Sequence, residues 1–120
     1  MEHDNSQSAS SLRILSQTKN GYIGRCGCCD HYNFVYGNAL FIFTAAGLDG
    51  FNQVLYNPDH WHVLDTHLPN EKSYVLPSPI PNFMLSFSGT EIEEMKGLFQ
   101  EFYISKEIEN IFKSDRSRNN

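Results

Sequence analysis

Residues 31–43 constrain the fold more than any other stretch: His-Tyr-Asn-Phe-Val-Tyr, then Gly-Asn, then Ala-Leu-Phe-Ile-Phe. Two aromatic and β-branched runs separated by Gly37-Asn38 are the signature of a β-hairpin, because residues of this type reverse the chain within two positions. Thr44 follows directly, and its hydroxyl can accept from a backbone amide freed at a helix start. Leu48, Phe51, Val54 and Leu55 then recur at helical spacing until Asn57-Pro58 ends the run. Gly47 and Gly50 each lower intrinsic helicity by roughly 1 kcal/mol relative to Ala, so packing must hold this helix. A hairpin feeding a capped amphipathic helix makes the chain α+β.

Around this unit the pattern extends in both directions. Leu12 and Ile14 predict a first strand, Asn20-Gly21 a tight turn that tolerates positive φ, and residues 22–25 a second strand. Residues 60–64 read as a short strand, 65–71 as loop, and 72–76 and 83–87 as further strands. The three prolines of Pro77-Ser78-Pro79-Ile80-Pro81 form a connector, since they remove backbone donors from any ladder. Ser88 and Glu91 make a capping box, and Ile92, Met95, Phe99 and Phe102 give the following helix one apolar face. Ile104, Ile108 and Ile111 lie on a different face, which predicts a break near Ser105 and a second short helix to about Lys113. The expected architecture is an antiparallel sheet of five to six strands packed against two main helices. It forms one domain over residues 12–113, between polar disordered segments at 1–11 and 114–120.

The chain also matches itself at an offset of 44 residues. Phe43-Thr44 falls on Phe87-Ser88, Leu48 on Ile92, Phe51 on Met95 and Leu55 on Phe99. Two explanations fit equally: a duplicated β-β-α unit with pseudo-twofold symmetry, or the pattern that any strand running into a capped helix produces.

Nine Phe, six Tyr and one Trp in 120 residues supply a core without help from disulfides. A formal charge of −5 argues against nucleic acid, whose phosphates demand clustered Lys and Arg. Residues 1–11 carry no apolar signal core, and residues 39–46 are far shorter than the roughly 20 residues of a membrane helix. Three cysteines, an odd number, then read as reduced thiols of a cytoplasmic protein.

The densest set of chemical ligands is Cys26-Gly27-Cys28-Cys29 with His31. Cys26 and Cys29 have knuckle spacing, but a structural zinc ion takes four ligands and no second such pair exists. His60 and His62 could complete a Cys26, Cys29, His60, His62 zinc site if residues 60–62 form a strand, where alternation puts both imidazoles on one face. The plainer reading is buried thiols and surface imidazoles. A thiol enzyme is a third possibility: Arg25 or His31 could activate Cys28 or Cys29, with His60, His62, His67, Asp59 or Asp65 supplying a base. The cysteines lie between strands rather than opening a helix, however, and no phosphate loop, zinc-protease helix or nucleophile elbow is present.

Thr18-Lys19-Asn20-Gly21-Tyr22-Ile23, Cys26-x-x-Cys29-x-x-Tyr32 and Tyr36-Gly37-Asn38 together resemble a family of small uncharacterised proteins from Bacteroidetes-type bacteria. The resemblance is clearest over residues 15–56. It implies a stand-alone small domain and gives no residue a role. The expectation is a non-enzymatic, self-associating protein-interaction module without a cofactor. Tyr32, Tyr36, Trp61 and Tyr103 are candidates for an exposed contact patch. The zinc-stabilised domain is the alternative.

Overall fold

The computed structural model describes residues 12–27, 30–64 and 68–119, with side chains to 113. Four strands form an antiparallel meander in the order β1-β2-β3-β4: β1 Leu12–Thr18, β2 Gly21–Cys26, β3 Tyr32–Tyr36 and β4 Ala39–Phe43. Helix α1 spans Ala45–Tyr56, and a 3-10 turn, Pro58–His60, leads to a three-stranded antiparallel sheet of β5 His62–Val63, β6 Tyr74–Pro77 and β7 Met84–Phe87. Helix α2 spans Gly89–Asn119. No helix among the described residues is long and apolar enough to cross a membrane.

Alternation along β3 sets the layers. Tyr32, Phe34 and Tyr36 are buried, whereas Asn33 and Val35 face the other way. Phe34 is the hub: its ring meets Phe41 and Phe51 at 6.1 and 5.4 Å and Phe99 of α2 at 5.1 Å. Each such pair adds roughly 0.5–1.5 kcal/mol beyond the area it buries. Both helices therefore lie on one face of the four-stranded sheet. The caps form as their spacing dictates. Thr44 Oγ1 accepts from Gly47 N at 3.1 Å, and Ser88 and Glu91 exchange side-chain-to-amide bonds at 2.8 and 3.2 Å.

Two glycines fix the hairpin ends. At Gly37, φ is +59°, so the β3–β4 turn uses the left-handed region that glycine enters freely. Gly21 is required for a different reason than the turn motif suggested. The β1–β2 turn residues are Lys19 and Asn20, and neither they nor Gly21 have positive φ. A Cβ on Gly21 would instead lie 2.1 Å from the Val35 carbonyl oxygen.

The structure corrects three expectations. The single sheet of five to six strands is two sheets, of four and three strands. After α1, Asn57 Oδ1 accepts from Asp59 N, and the Trp61 indole donates to the Val54 carbonyl at 2.7 Å. This pins the chain against the helix end, so β5 pairs with β6 rather than with β4. The β-β-α duplication does not hold either. The caps and hairpins correspond locally, but a 12-residue helix faces a 31-residue one and the sheets differ in strand number. Finally, α2 has no break at Ser105. No Gly or Pro interrupts residues 98–119. Ser105 Oγ donates to the Leu15 carbonyl at 3.0 Å, and Arg13 pairs with Glu109, so the sheet holds the helix across the expected break. The helix passes Lys113 and measures about 46 Å at 1.5 Å per residue. The expected polar disorder of 1–11 falls outside the described residues.

Candidate interaction surface

Two braces of polar side chains join elements around ionisable groups. At the first, the Tyr36 hydroxyl donates to Glu94 Oε1 at 2.5 Å, while Asn20 Nδ2 donates to both oxygens at 2.9 and 3.0 Å. Gly37 N donates to the Asn20 carbonyl at 2.9 Å, so both hairpin turns meet at one carboxylate on α2. Burial, then the Glu94 carboxylate, raise the Tyr36 phenol well above its ordinary value. Burial pushes Glu94 up, but hydrogen bonds from Tyr36, Asn20 and Thr18 and the charge of Lys19 outweigh it and hold the carboxyl below the usual range. At the second brace, Tyr103 of α2 donates to Asp49 of α1. Burial, then Asp49, raise the Tyr103 phenol in the same way.

The expected aromatic patch is thus part of the framework. Tyr32 and Tyr36 are only 5% and 8% exposed, because they stand on the helix-facing side of β3. Trp61 is half-buried with its N–H on Val54, and Tyr103 is spent on Asp49.

Of the expected metal ligands, Cys26, His60 and His62 lie on three different elements. Cys26 ends β2, where its amide donates to the His31 carbonyl at 3.2 Å and closes the cysteine loop. His60 lies in the 3-10 turn and His62 opens β5, both exposed. Because Trp61 caps the turn, the two imidazoles do not share a strand face. Among the described residues, no three His, Cys, Asp or Glu side chains are grouped as a metal ion would need. Cys28, Cys29, Asp65 and His67 lie outside the described residues.

The surface that sequence reasoning missed is the other face of the four-stranded sheet. Register places Gln17, Tyr22, Val35 and Leu40 in one cross-strand row and Ile14, Gly24, Asn33 and Ile42 in the next. No described element covers these rows. Leu40 and Ile42 are 57% and 66% exposed. A shallow depression of about 300 Å³ runs beside Ile14, Tyr22 and Val35 to the β1–β2 turn. The signal was present in Ala39-Leu40-Phe41-Ile42-Phe43. An uninterrupted apolar strand with a core on only one side must turn alternate side chains outward. A second apolar exposure follows Ile104, Ile108 and Ile111 along the outer side of α2.

No curated protein and no solved structure matches the chain. A family model does match over residues 9–116, and the chain belongs to that Family of unknown function (DUF6686).

Proposed function

We propose that the protein is a non-enzymatic interaction module that docks another protein on the open face of its four-stranded sheet. The observation that carries this reading is the exposure of Leu40 and Ile42, beside Ile14, Tyr22 and Val35, on a face without a covering layer among the described residues. Fully burying an aliphatic side chain is worth roughly 1.5–3 kcal/mol, so covering the exposed parts of Leu40 and Ile42 alone yields about 2–4 kcal/mol. An antiparallel sheet tolerates water on one face, but the water-facing positions are then ordinarily polar. The groups with displaced ionisation, Tyr36, Glu94 and Tyr103, all sit in hydrogen bonds that join elements, which favours a structural role for them.

The test places a photo-crosslinking residue at position 42 and, as control, at exposed position 53 on α1. Irradiation in cells should give a discrete adduct from position 42 that is absent from position 53 and lost with Leu40→Lys. No adduct at 42, or the same adduct from both positions, rejects the reading.

A further inference from the structure

We infer that the chain pairs with a second copy of itself through the free edge of β4, joining two four-stranded sheets into one. The inference goes beyond the interaction reading above, because it uses the edge of the sheet rather than its open face, and the two can fail separately.

The direction of the backbone groups follows from one hydrogen bond. Gly37 N donates to the Asn20 carbonyl across the Gly21–Tyr36 pair, which makes that pair a non-hydrogen-bonded one in the β2–β3 ladder. Along β3 the groups of Tyr32, Phe34 and Tyr36 therefore point to β4, where they meet Phe43, Phe41 and Ala39. The N–H and C=O groups of the alternate residues, Leu40 and Ile42, point out from the edge.

The two edges of this sheet differ in protection. At the β1 edge the register shifts between Ile14 and Ser16, and Arg13 adds a charge; bulges and charges are the usual devices against edge pairing. The β4 edge has neither. Its register is continuous and its sequence, Ala-Leu-Phe-Ile-Phe, contains no charge, Pro or Gly.

The edge is also complementary to itself. An antiparallel partner β4 centred on Phe41 sets Leu40 opposite Ile42 of the second copy, and Ile42 opposite Leu40. Each of these two pairs exchanges both of its hydrogen bonds. A twofold axis relates the copies, so the contact closes at two. The joined open faces then bring the Leu40 and Ile42 side chains of both copies together. Five residues a side is far below the 20–30 of a standard interface, so the dimer is weak and fills only toward high protein concentration.

The experiment measures amide hydrogen exchange of the full chain from about 10 μM to about 1 mM, a range that brackets an interface of this size. Exchange at Leu40 and Ile42 should slow at least several-fold with concentration, while Tyr22 and Val35, already inside the β2–β3 ladder, stay constant. Ile42→Pro, which removes one edge donor and is tolerated on an edge strand, should abolish the effect without changing the circular dichroism. Exchange at Leu40 and Ile42 that is independent of concentration overturns self-pairing. If position 42 still crosslinks to a protein of different mass, the interaction reading stands and only the second copy fails.

Discussion

The Tyr36 hydroxyl donates to Glu94 at 2.5 Å across 58 residues of sequence, and the same carboxylate takes both bonds from Asn20. One side chain on the first turns of α2 thereby holds the ends of two hairpins. Glu94→Gln keeps the volume and removes the charge. Hydrogen bonds to charged groups contribute about 1.5–3 kcal/mol each, although this site is partly open to water, so a net loss of about 1–3 kcal/mol at pH 7 is expected. The folded-state carboxyl lies below its unfolded value near 4.3. Its contribution is therefore full above that value and falls away as pH drops through the folded one. Urea midpoints between pH 7 and 3 should decline in the parent and decline less in the variant. Equal acid sensitivity in both would show that Glu94 does not carry the effect.

The tyrosines act at the other end of the scale. Folded Tyr36 and Tyr103 both ionise above the ordinary phenol value near 10. The stability they contribute is complete below that value and is lost as pH rises toward the folded ones. Tyr103→Phe removes the bond to Asp49 and should cost about 0.5–2 kcal/mol at neutral pH. It should also flatten the decline of the melting temperature above pH 10.

Much of this framework was legible in the sequence, and the parts that were not have specific causes. The β3–β4 hairpin, the Thr44 cap and the Ser88–Glu91 box are local, so each could be read from neighbouring residues. The Asn20–Tyr36–Glu94 brace joins two motifs of the family resemblance to a glutamate 58 residues beyond Tyr36, and no local rule connects them. Ile104, Ile108 and Ile111 suggest a broken helix because they lie on a different face from Ile92, Met95, Phe99 and Phe102. In the fold these residues are exposed, and the Leu15 carbonyl and Arg13 hold the helix from its other side. The open sheet face is not legible from composition, because aromatic residues alternate with Val35, Leu40 and Ile42 along β3 and β4 and all are apolar. The aromatic residues of β3 and β4 are inward, and Val35, Leu40 and Ile42 between them are outward.

That reading of α2 separates its apolar residues into two energetic classes. Phe99 is fully buried against Phe34 and Phe51, so Phe99→Ala should cost about 3–5 kcal/mol. Ile108 is half exposed, and Ile108→Ala should change stability by no more than about 0.5 kcal/mol, since Ala also favours the helix. Guanidinium unfolding of the two variants checks the contrast. A large loss at Ile108 would mean that the outer side of α2 is covered in solution.

The glycines give the sharpest steric contrast. A Cβ at Gly21 would sit 2.1 Å from the Val35 carbonyl oxygen, a backbone atom that cannot move without breaking the β2–β3 ladder. A Cβ at Gly50, inside α1, would meet nothing within 4 Å. Gly50→Ala should therefore stabilise the protein by about 0.5–1 kcal/mol, by restricting the unfolded chain and favouring the helix. Gly21→Ala should abolish cooperative folding or lower stability by several kcal/mol, in the range reserved for severe core defects. Thermal melts followed by circular dichroism measure both. If Gly21→Ala melts at the parent temperature, the β1–β2 turn does not approach β3 as closely as this packing requires. Because Asn20 reaches Glu94 from that same turn, the brace on α2 would then have to be placed elsewhere as well.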